Sequence, residues 1–184
     1  MCGIAGFKGQ GNIENIESMI NTLKHRGPDD TGISIDGDMF FAQSRLSILD
    51  LSALGHQPMS DSSESVNIIF NGEIYNFKEI RRELENKNYK FKSNSDTEVI
   101  IYSYIEYGLK CFSMFEGMFA IAIHDKRSGD LILSRDRMGK KPLYYFIKNK
   151  NIVFGSELKA IKKHPLFIKK ISDIGLKLYL KHDY

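Results

Sequence analysis

Cys2 is the residue of this chain whose type and position offer the clearest chemistry. Removal of Met1 would leave a thiol and a free α-amino group on the same residue. An α-amino group has a pKa of about 7.7–8.0 and a thiol one of about 8.5, so near neutral pH the unprotonated amine can accept the proton of the thiol. Cys2 could then act as a nucleophile that carries its own base. Position alone favours a small buried apolar residue, which is the interpretation we keep for Cys111.

Polar side chains at three further places have an ordinary structural interpretation from the local sequence. Asn71-Gly72 is a dipeptide typical of tight turns. Arg45 lies with Gln43 on the polar face of a predicted strand and points away from the apolar face. Asp96 falls in the first turn of a predicted helix, where the helix dipole favours a negative charge.

The histidines and cysteines do not indicate a metal site. The sequence has five His and two Cys, without a C-x-x-C pair and without two histidines at ligand spacing. We therefore predict neither a structural zinc site nor a disulfide framework. His25 and His56 are interpreted as structural or loop residues.

Composition narrows the class of protein. The chain has 184 residues, 42% of them apolar, which is enough for a packed core. Its 26 Lys and Arg and 23 Asp and Glu give a net charge of +3 without a long block of one sign, which argues against a nucleic-acid binder. Lys8 interrupts the opening apolar run too early for a signal peptide, and no apolar stretch approaches the roughly 20 residues of a membrane span. We expect a cytoplasmic protein that does not contact membranes.

Apolar periodicity predicts the elements that must position the candidate side chains. Amphipathic helices are predicted over 13–23 and 77–84. A third helix follows Ser95-Asp96-Thr97-Glu98, a capping-box pattern in which Ser95 and Glu98 would satisfy free amide donors, and it stops at Gly108. Strands are predicted at 40–48, 66–70, 118–123, 131–133, 143–147 and 152–154, the last four joined by short polar turns.

The segment from Met118 to Ile123 is apolar on both faces and must therefore be covered on both sides. Strands linked by hairpins indicate antiparallel sheets, and two such sheets face to face with helices outside would bury both faces. This pattern predicts an α+β fold with residues 1–160 in one domain. Residues 161–184 are predicted to form a basic tail helix, after the breaker Pro165 and a cap at Ser172-Asp173.

Eight motifs, spread in order over nearly the whole chain, carry a family resemblance. They are Met1-Cys2-Gly3-Ile4-Ala5-Gly6, His25-Arg26-Gly27-Pro28-Asp29-Asp30, Arg45-Leu46-Ser47-Ile48-Leu49-Asp50, Gln57-Pro58-Met59, Phe70-Asn71-Gly72-Glu73-Ile74-Tyr75-Asn76, Ser95-Asp96-Thr97-Glu98, Phe115-Glu116-Gly117-Met118-Phe119-Ala120 and Arg135-Asp136-Arg137-Met138-Gly139-Lys140-Lys141-Pro142-Leu143-Tyr144. With these motifs the chain resembles the glutaminase domain of class II glutamine amidotransferases, and among them that of glutamine-hydrolysing asparagine synthetases. The resemblance implies an N-terminal-nucleophile hydrolase fold, a four-layer αββα sandwich of two antiparallel sheets.

Carried over to the matching residues, the family reaction implies that Cys2 attacks the side-chain amide of L-glutamine. A γ-glutamyl thioester would form and then be hydrolysed by water to glutamate. Asn71 and Gly72 would stabilise the oxyanion. Arg45 would bind the α-carboxylate of glutamine, and Glu73 and Asp96 its α-ammonium. The backbone groups expected to complete the pocket are those of Leu46, Ser47, Ile48 and Leu49.

The resemblance also implies a partner domain. Ammonia would pass to an acceptor in a C-terminal ATP-dependent synthetase domain, whose Ser-Gly-Gly-x-Asp-Ser type pyrophosphate loop does not occur in this sequence. We expect no cofactor in this chain, and ATP and magnesium for the synthetase domain. The segment 135–144 would face that domain, or its lysines would be solvated turn residues.

Several alternatives stay open at this stage. Aspartate is the expected acceptor of the ammonia, but relatives that aminate a sugar precursor or another carboxylate share the glutaminase motifs. A self-processing protease and a catalytically silent glutamine-sensing module are rival functions. A homodimer is an open alternative for the assembly.

Overall fold

A computed structural model describes residues 2–47, 50 and 52–182 of the chain. Within these residues, two antiparallel sheets pack face to face, with helices on the outer side of each sheet. The order of layers is therefore α, β, β, α, which confirms the four-layer sandwich predicted from the sequence. No helix in this part of the chain is long and apolar enough to cross a membrane.

Five strands form the first sheet. They are β1 (Gly3–Lys8), β2 (Asp30–Asp36), β3 (Met39–Arg45), β8 (Tyr144–Lys148) and β9 (Asn151–Gly155), in the spatial order β2-β3-β1-β9-β8. The sequence prediction missed β1, because Gly3 and Gly6 interrupt its apolar pattern. Gly6 is required there, since a Cβ atom at this position would overlap the ring of Phe154 on the neighbouring strand.

Four strands form the second sheet, in their order along the chain. They are β4 (Met59–Ser60), β5 (Val66–Ile74), β6 (Gly117–Asp125) and β7 (Asp130–Arg135). β6 pairs with β5 along its whole length, from Val66 opposite Asp125 to Ile74 opposite Gly117. β4 is too short to cover the other edge of β5, because it pairs only with Asn67 and Ile68. The edge of β5 from Phe70 to Ile74 is left uncovered by any strand of the described part.

β6 is buried on both faces, as its apolar composition predicts. Phe119 and Ile121 pack into the core between the second sheet and its helices. Ala120 and Ala122 face the first sheet, where their small side chains allow the two sheets to approach each other. The core between the sheets also contains Phe41 and Phe154, whose rings meet edge to face.

In the described part of the chain, six α-helices cover the sheets or follow them. They are α1 (Ile13–Asn21), α2 (Phe77–Asn86), α3 (Asp96–Tyr107), α4 (Cys111–Met114), α5 (Leu158–Ile161) and α6 (Asp173–His182). α1 and α5 contribute to the core of the first sheet, and α2, α3 and α4 to that of the second. The three predicted amphipathic or capped helices are confirmed, including the end of α3 at Gly108, which has φ of +59°.

The capping box predicted at the start of α3 is wrong in its second half. Ser95 Oγ accepts a hydrogen bond from the N–H of Thr97 at 3.1 Å, as an N-cap should. The carboxylate of Glu98 does not return to Ser95, but accepts hydrogen bonds from the N–H groups of Lys92 and Ser93 and from the Ser93 hydroxyl. The loop before α3 folds back over the first turn of the helix. Glu98 therefore accepts hydrogen bonds from N–H groups of that loop and not from the N–H of Ser95.

The predicted hairpins among the last four strands are correct for two of three connections. β6 and β7 form one hairpin and β8 and β9 another, but the segment between β7 and β8 passes from the second sheet to the first.

After α5, Phe167 packs edge to face against Phe146 of β8. α6 has no buried residue. The domain boundary at residue 160 stays a prediction.

Candidate active site

A pocket opens between the two sheets at the uncovered edge of β5. Among its lining residues are seven of the ten residues that the sequence predicted for the site: Cys2, Arg45, Leu46, Asn71, Gly72, Glu73 and Asp96. Ser47 does not line it, and its N–H donates to the carboxylate of Asp29 at 2.8 Å. Ile48 and Leu49 lie outside the described residues. Residues far apart in sequence are thus brought to one place by strands β1, β3 and β5 and helix α3.

Cys2 is held through both its sulfur and its backbone. Its Sγ lies 3.4 Å from the N–H of Leu46 and 3.6 Å from the Leu46 carbonyl oxygen. The thiol can donate to that carbonyl, and a thiolate can accept from that N–H. Arg26 Nε donates to the Cys2 carbonyl oxygen at 2.9 Å. Leu46 can therefore serve both protonation states of the sulfur without moving.

Arg26 is in turn fixed by a group of charged side chains around Glu157. The Glu157 carboxylate lies 3.1 Å from Arg26 Nη1, 2.8 Å from His25 Nε2 and 3.0 Å from Lys159 Nζ. Burial alone would raise the pKa of Glu157, but hydrogen bonds from these three side chains lower it to about 2. The sequence prediction assigned no site role to Arg26, although it belongs to the quoted motif that begins at His25.

Asn71 carries a polar group with no partner in the pocket. The residue is 1% exposed, and its Nδ2 finds no hydrogen-bond partner among the described residues. Asn71 lies on β5, on the face directed toward the first sheet, because its neighbours Phe70 and Gly72 alternate with it along the strand. A buried amide donor without an acceptor is costly, so a ligand that accepts from it would be stabilised here.

The N–H of Gly72 points toward the same pocket, as two independent sets of hydrogen bonds show. On one side, the N–H groups of Phe70 and Ile74 leave the open edge of β5 toward Gln57 Oε1 (2.7 Å) and Asp96 Oδ2 (3.0 Å). Alternate N–H groups of a strand point to the same edge, so that of Gly72 does too. On the other side, Phe119, which is opposite Gly72, exchanges its backbone hydrogen bonds with Asp136.

Position 72 also requires glycine. A Cβ atom there would overlap the carbonyl oxygen of Met118 on β6. The turn suggested by the local dipeptide Asn71-Gly72 does not form, because both residues belong to β5. The close approach of β6 and the open edge toward the pocket explain why glycine occurs inside this strand.

Asp96 is a buried carboxylate in the first turn of α3. It is 4% exposed, and burial raises its pKa to about 6, with the nearby charge of Glu73 acting in the same direction. The hydrogen bond that its Oδ2 accepts from the N–H of Ile74 acts in the opposite direction. Two carboxyl groups, Glu73 and Asp96, line the pocket together. A bound cation would favour the ionised form of Asp96, so the pair is suited to an ammonium group.

Arg45 brings positive charge to the other side of the pocket. Its side chain is buried, and it donates to the carbonyl oxygens of Ser52 (3.3 Å) and Asp50 in the following loop. Gly55 permits this arrangement, because a Cβ atom there would overlap the guanidinium group. The predicted alternation along β3 is confirmed for Ala42 and Gln43, but the polar face is buried because it faces the second sheet and not solvent.

Eight residues that line the pocket were not predicted for the site, and three of them, Gln43, Gln57 and Lys141, contribute polar or charged side chains that bear on its chemistry. Lys141, interpreted as a residue of a solvated turn or of a domain contact, is 5% exposed and lines the pocket. Its N–H donates to Asp136 Oδ2 at 3.0 Å, which ties the segment after β7 to the pocket wall. Burial lowers the pKa of its ammonium group. Gln43 and Gln57 also line the pocket, and both form a hydrogen bond with the backbone of Phe70.

Among the residues described, no cluster of three or more His, Cys, Asp or Glu is arranged to hold a metal ion.

The sequence and the fold match known proteins. The sequence profile of the family described as "Glutamine amidotransferase domain" matches residues 1–184. "Asparagine synthetase [glutamine-hydrolyzing] 3" of Bacillus subtilis is 38% identical over 183 residues, which cover 96% of this chain and 30% of that protein. "Putative asparagine synthetase [glutamine-hydrolyzing] 2" of Methanocaldococcus jannaschii is 39% identical, over 94% of this chain and 36% of that protein. The chain thus spans about a third of the length of these relatives.

A solved structure supports the fold at lower sequence identity. The structure of the glutamine phosphoribosylpyrophosphate amidotransferase from B. subtilis, in complex with ADP and GMP, superimposes with a TM-score of 0.76. The match covers 88% of this chain and 43% of that one, at 20% sequence identity. At this identity the likeness shows the shared fold alone.

Proposed function

Because the chain belongs to the glutamine amidotransferase domain family, we propose that it hydrolyses L-glutamine to glutamate and ammonia through a thioester on Cys2. The observation that carries this proposal is the meeting of three groups in one pocket. They are the Cys2 thiol, the unpartnered Nδ2 of Asn71 and the N–H of Gly72 that points to the open edge of β5. A nucleophile beside two donors is the arrangement that acyl transfer requires.

The first step is attack on the side-chain amide of glutamine. After removal of Met1, the α-amino group of Cys2 takes the proton of the thiol, and Sγ forms a bond to the amide carbon. The electrons of the C=O bond move to its oxygen, which becomes an oxyanion. Asn71 Nδ2 and the Gly72 N–H donate to this oxyanion, and the Leu46 N–H donates to the sulfur while it is anionic.

In the second step the tetrahedral intermediate collapses. The carbon–nitrogen bond breaks, and the α-ammonium of Cys2 gives its proton to the leaving nitrogen, which departs as ammonia. The product on the protein is a γ-glutamyl thioester. Water then attacks the thioester carbon, the α-amino group takes a proton from that water, and the carbon–sulfur bond breaks to release glutamate. The proton returns to the sulfur, so the thiol and the amine are regenerated.

The two ends of the pocket suit the two ends of an amino acid. We assign the α-carboxylate of glutamine to Arg45, whose planar guanidinium can bind two oxygens. We assign the α-ammonium to Asp96 and Glu73, because a cation there relieves the cost of ionising a buried carboxylate. Backbone groups from Leu46 onward would complete the pocket.

For the longer protein, we propose that the ammonia supplies an ATP-dependent amidation, in which aspartate becomes asparagine. The support is the similarity to proteins named glutamine-hydrolysing asparagine synthetases, of which this chain spans about a third. The synthetase part would hold ATP and magnesium and would contact this domain, and a cytoplasmic location fits that role. The acceptor is tested by incubating a protein with both parts with glutamine, ATP and aspartate, since asparagine is the expected product.

The glutaminase proposal is tested by glutamate release from L-glutamine. The expected result is release by the chain without Met1 and none by Cys2→Ala. Cys111→Ala is the matched control and should keep the activity, because Cys111 lies in the helix-side core and burial raises its thiol pKa to about 12. Equal release by Cys2→Ala would contradict the thioester. Glutamine binding without any release would instead support a sensing module.

A further inference from the structure

The pocket contains two buried polar atoms that lack partners, and they are of opposite kinds. One is the donor Asn71 Nδ2 described above. The other is the acceptor Gln43 Oε1, on a side chain that is 1% exposed. Both residues line the pocket with Cys2. In a native fold such atoms are usually paired, with another protein group, an ordered water or a ligand, and a ligand that enters this cavity can pair with both.

The orientation of the Gln43 amide is fixed by its other end. Gln43 Nε2 donates to the carbonyl oxygen of Phe70 at 2.8 Å, and only the NH2 end of an amide can donate to a carbonyl. Oε1 is therefore directed away from that carbonyl. Gln57, which also holds Phe70, differs in this respect: its Oε1 accepts from the Phe70 N–H and its Nε2 donates to the Thr97 hydroxyl. Gln57 has used both ends, and Gln43 only one.

Gln43 lies on the same face of the first sheet as the nucleophile. In the pairing of β1 with β3, Ile4 is opposite Gln43 and Gly3 is opposite Ser44, so Cys2 comes next to Arg45. Cys2 and Gln43 are then diagonal neighbours across the pair, about 7–8 Å apart at Cα by the usual geometry of a sheet. A planar group bound between them can contact both side chains.

The proposed function leaves one part of glutamine without a partner: the NH2 of its side-chain amide. Resting on that function, we propose that Gln43 Oε1 accepts a hydrogen bond from this NH2, while Asn71 Nδ2 donates to the amide oxygen. The unpartnered donor and the unpartnered acceptor together match a primary carboxamide. Gln43 is thus a specificity-determining residue that orients the leaving nitrogen.

The same pair of atoms disfavours the product. A carboxylate offers two acceptor oxygens and no donor, so the side chain of glutamate pairs with Asn71 but places an anionic oxygen against Gln43 Oε1. Glutamate should therefore bind more weakly than glutamine and leave after hydrolysis. The selectivity comes from a lost hydrogen bond together with repulsion between two acceptors.

The test compares ligands on the Cys2→Ala chain, which binds without reacting. Calorimetry is performed with L-glutamine, with L-glutamate, and with the methyl ketone analogue of glutamine, in which CH3 replaces the NH2. We expect glutamine to bind about tenfold more tightly than the methyl ketone, since the ketone lacks only the donor that Gln43 would pair with. Glutamate should also bind at least tenfold more weakly than glutamine. This comparison needs no substitution at Gln43.

A substitution then assigns the effect to Gln43. In Cys2→Ala with Gln43→Met, the ratio of the two affinities should fall from about ten to near one. Gln57→Met in the same background is the matched control: it also removes a side chain that holds Phe70, and it should weaken both ligands by the same factor and keep the ratio near ten. Thermal unfolding checks that each variant folds.

The outcomes separate the two proposals. Equal affinities for glutamine and the methyl ketone in the Cys2→Ala chain would overturn the role of Gln43 and leave the glutaminase function intact. A ratio that stays near ten in Gln43→Met would do the same. If none of the three ligands binds, both the role of Gln43 and the proposed function are overturned. If the Gln43→Met variant does not fold, the role of Gln43 is decided by the comparison of glutamine with the methyl ketone in the Cys2→Ala chain.

Discussion

At the scale of the residue, the site depends on neighbouring groups that hold its side chains in position. Cys2 is fixed by Leu46 and Arg26, and Asp96 accepts from the backbone of Ile74. Such contacts keep the reacting atoms in place before a substrate arrives, which is where much of the rate enhancement of an enzyme originates. The predictions at this scale concern Asn71 and Asp96.

Asn71→Ala should reduce kcat far more than it raises KM. The side chain would act on the oxyanion, which exists only after attack, and loss of one such donor typically costs about 2.7–4 kcal/mol of transition-state stabilisation. We expect kcat for glutamine to fall by about 100- to 1,000-fold. Steady-state kinetics of glutamate release measures both constants. A variant with normal kcat and a raised KM would remove Asn71 from the oxyanion site.

The ionisation of Asp96 should set the acid limit of glutamine binding. With a pKa of about 6 in the empty pocket, Asp96 becomes protonated below pH 6 and no longer attracts the α-ammonium. KM should therefore rise about tenfold per pH unit as the pH falls below 6 and stay level above it. Asp96→Asn should raise KM at pH 7.5 more than it lowers kcat, and abolish this dependence. Asp130→Asn, at an exposed position of β7, serves as the control.

The same pKa gives a prediction about stability with the opposite sign. The folded-state pKa of Asp96 lies above the unfolded value of about 3.9, so the folded state binds the proton more tightly. Ionisation of Asp96 then lowers the free energy of unfolding between about pH 4 and pH 6. Asp96→Asn should raise the Tm of the ligand-free protein at pH 7.5. An unchanged or lower Tm would show that burial of the ionised Asp96 carboxylate does not lower the free energy of unfolding.

At the scale of the element, the open edge of β5 organises the pocket. Three alternate N–H groups leave this edge, and Gln57 and Asp96 take the first and third, which leaves that of Gly72 directed into the pocket. On the far side, Asp136 ties Phe119 to the segment that carries Lys141. The pocket therefore depends on the open edge of β5, on the side chains of Gln57 and Asp96 that bind this edge, and on Asp136 on the far side of β6.

Asp136→Ala should destabilise the fold more than an average surface substitution. The Asp136 carboxylate accepts from the N–H groups of Phe119, Lys140 and Lys141, and its loss leaves two of these donors buried without a partner. The expected loss is about 3 kcal/mol in the free energy of unfolding, measured with urea. Asp130→Ala, at the exposed start of β7, the strand that ends just before Asp136, should change it by less than about 0.5 kcal/mol. Equal effects would contradict the role given to Asp136.

The elements also show what sequence patterns can and cannot predict. The start of α1 and the stop of α3 at Gly108 follow local signals, and they are confirmed. β1 is missed because Gly3 and Gly6 interrupt its apolar pattern, and Gly6 is required by a close contact with Phe154, which is far away in sequence. The second half of the capping box is wrong because Glu98 bonds the preceding loop. Local chemistry predicts local structure, and long-range contacts decide the rest.

The same limit applies to the site. Arg45, Asn71 and Asp96 each have an ordinary local interpretation, and within the sequence only the family resemblance assigns them to one site. For Gln43 the sequence indicated only a polar position on a strand, and for Lys141 only a basic turn. Neither pattern predicts a place in the pocket. Their places in the pocket depend on how the two sheets pack and on how the chain crosses from β7 to β8.

At the scale of the whole molecule, the four layers form the folded unit and the last helix does not contribute to it. α6 has no buried residue, and its apolar side chains, such as Ile174 and Leu180, are exposed. Phe167, which precedes α6, packs on the first sheet through Phe146. The predicted division of the chain near residue 160 can therefore be tested by truncation.

Removal of residues 169–184 should leave the Tm unchanged within about 2 °C, because few stabilising contacts are lost. Removal of residues 162–184 is the matched comparison and should lower it by several degrees, since Phe167 and the buried His164 are then lost. Differential scanning calorimetry measures both. A large loss with the shorter truncation would show that α6 stabilises the domain.

The most direct test of the central claim is to trap the acyl group on Cys2. The chain without Met1 is mixed with L-glutamine, quenched in acid and digested, and the mass of the peptide that begins at Cys2 is measured. We expect a γ-glutamyl adduct on that peptide, absent from Cys2→Ala, and γ-glutamyl hydroxamate in place of glutamate when hydroxylamine is added. Glutamate formation without an adduct on Cys2 and without hydroxamate would contradict the account.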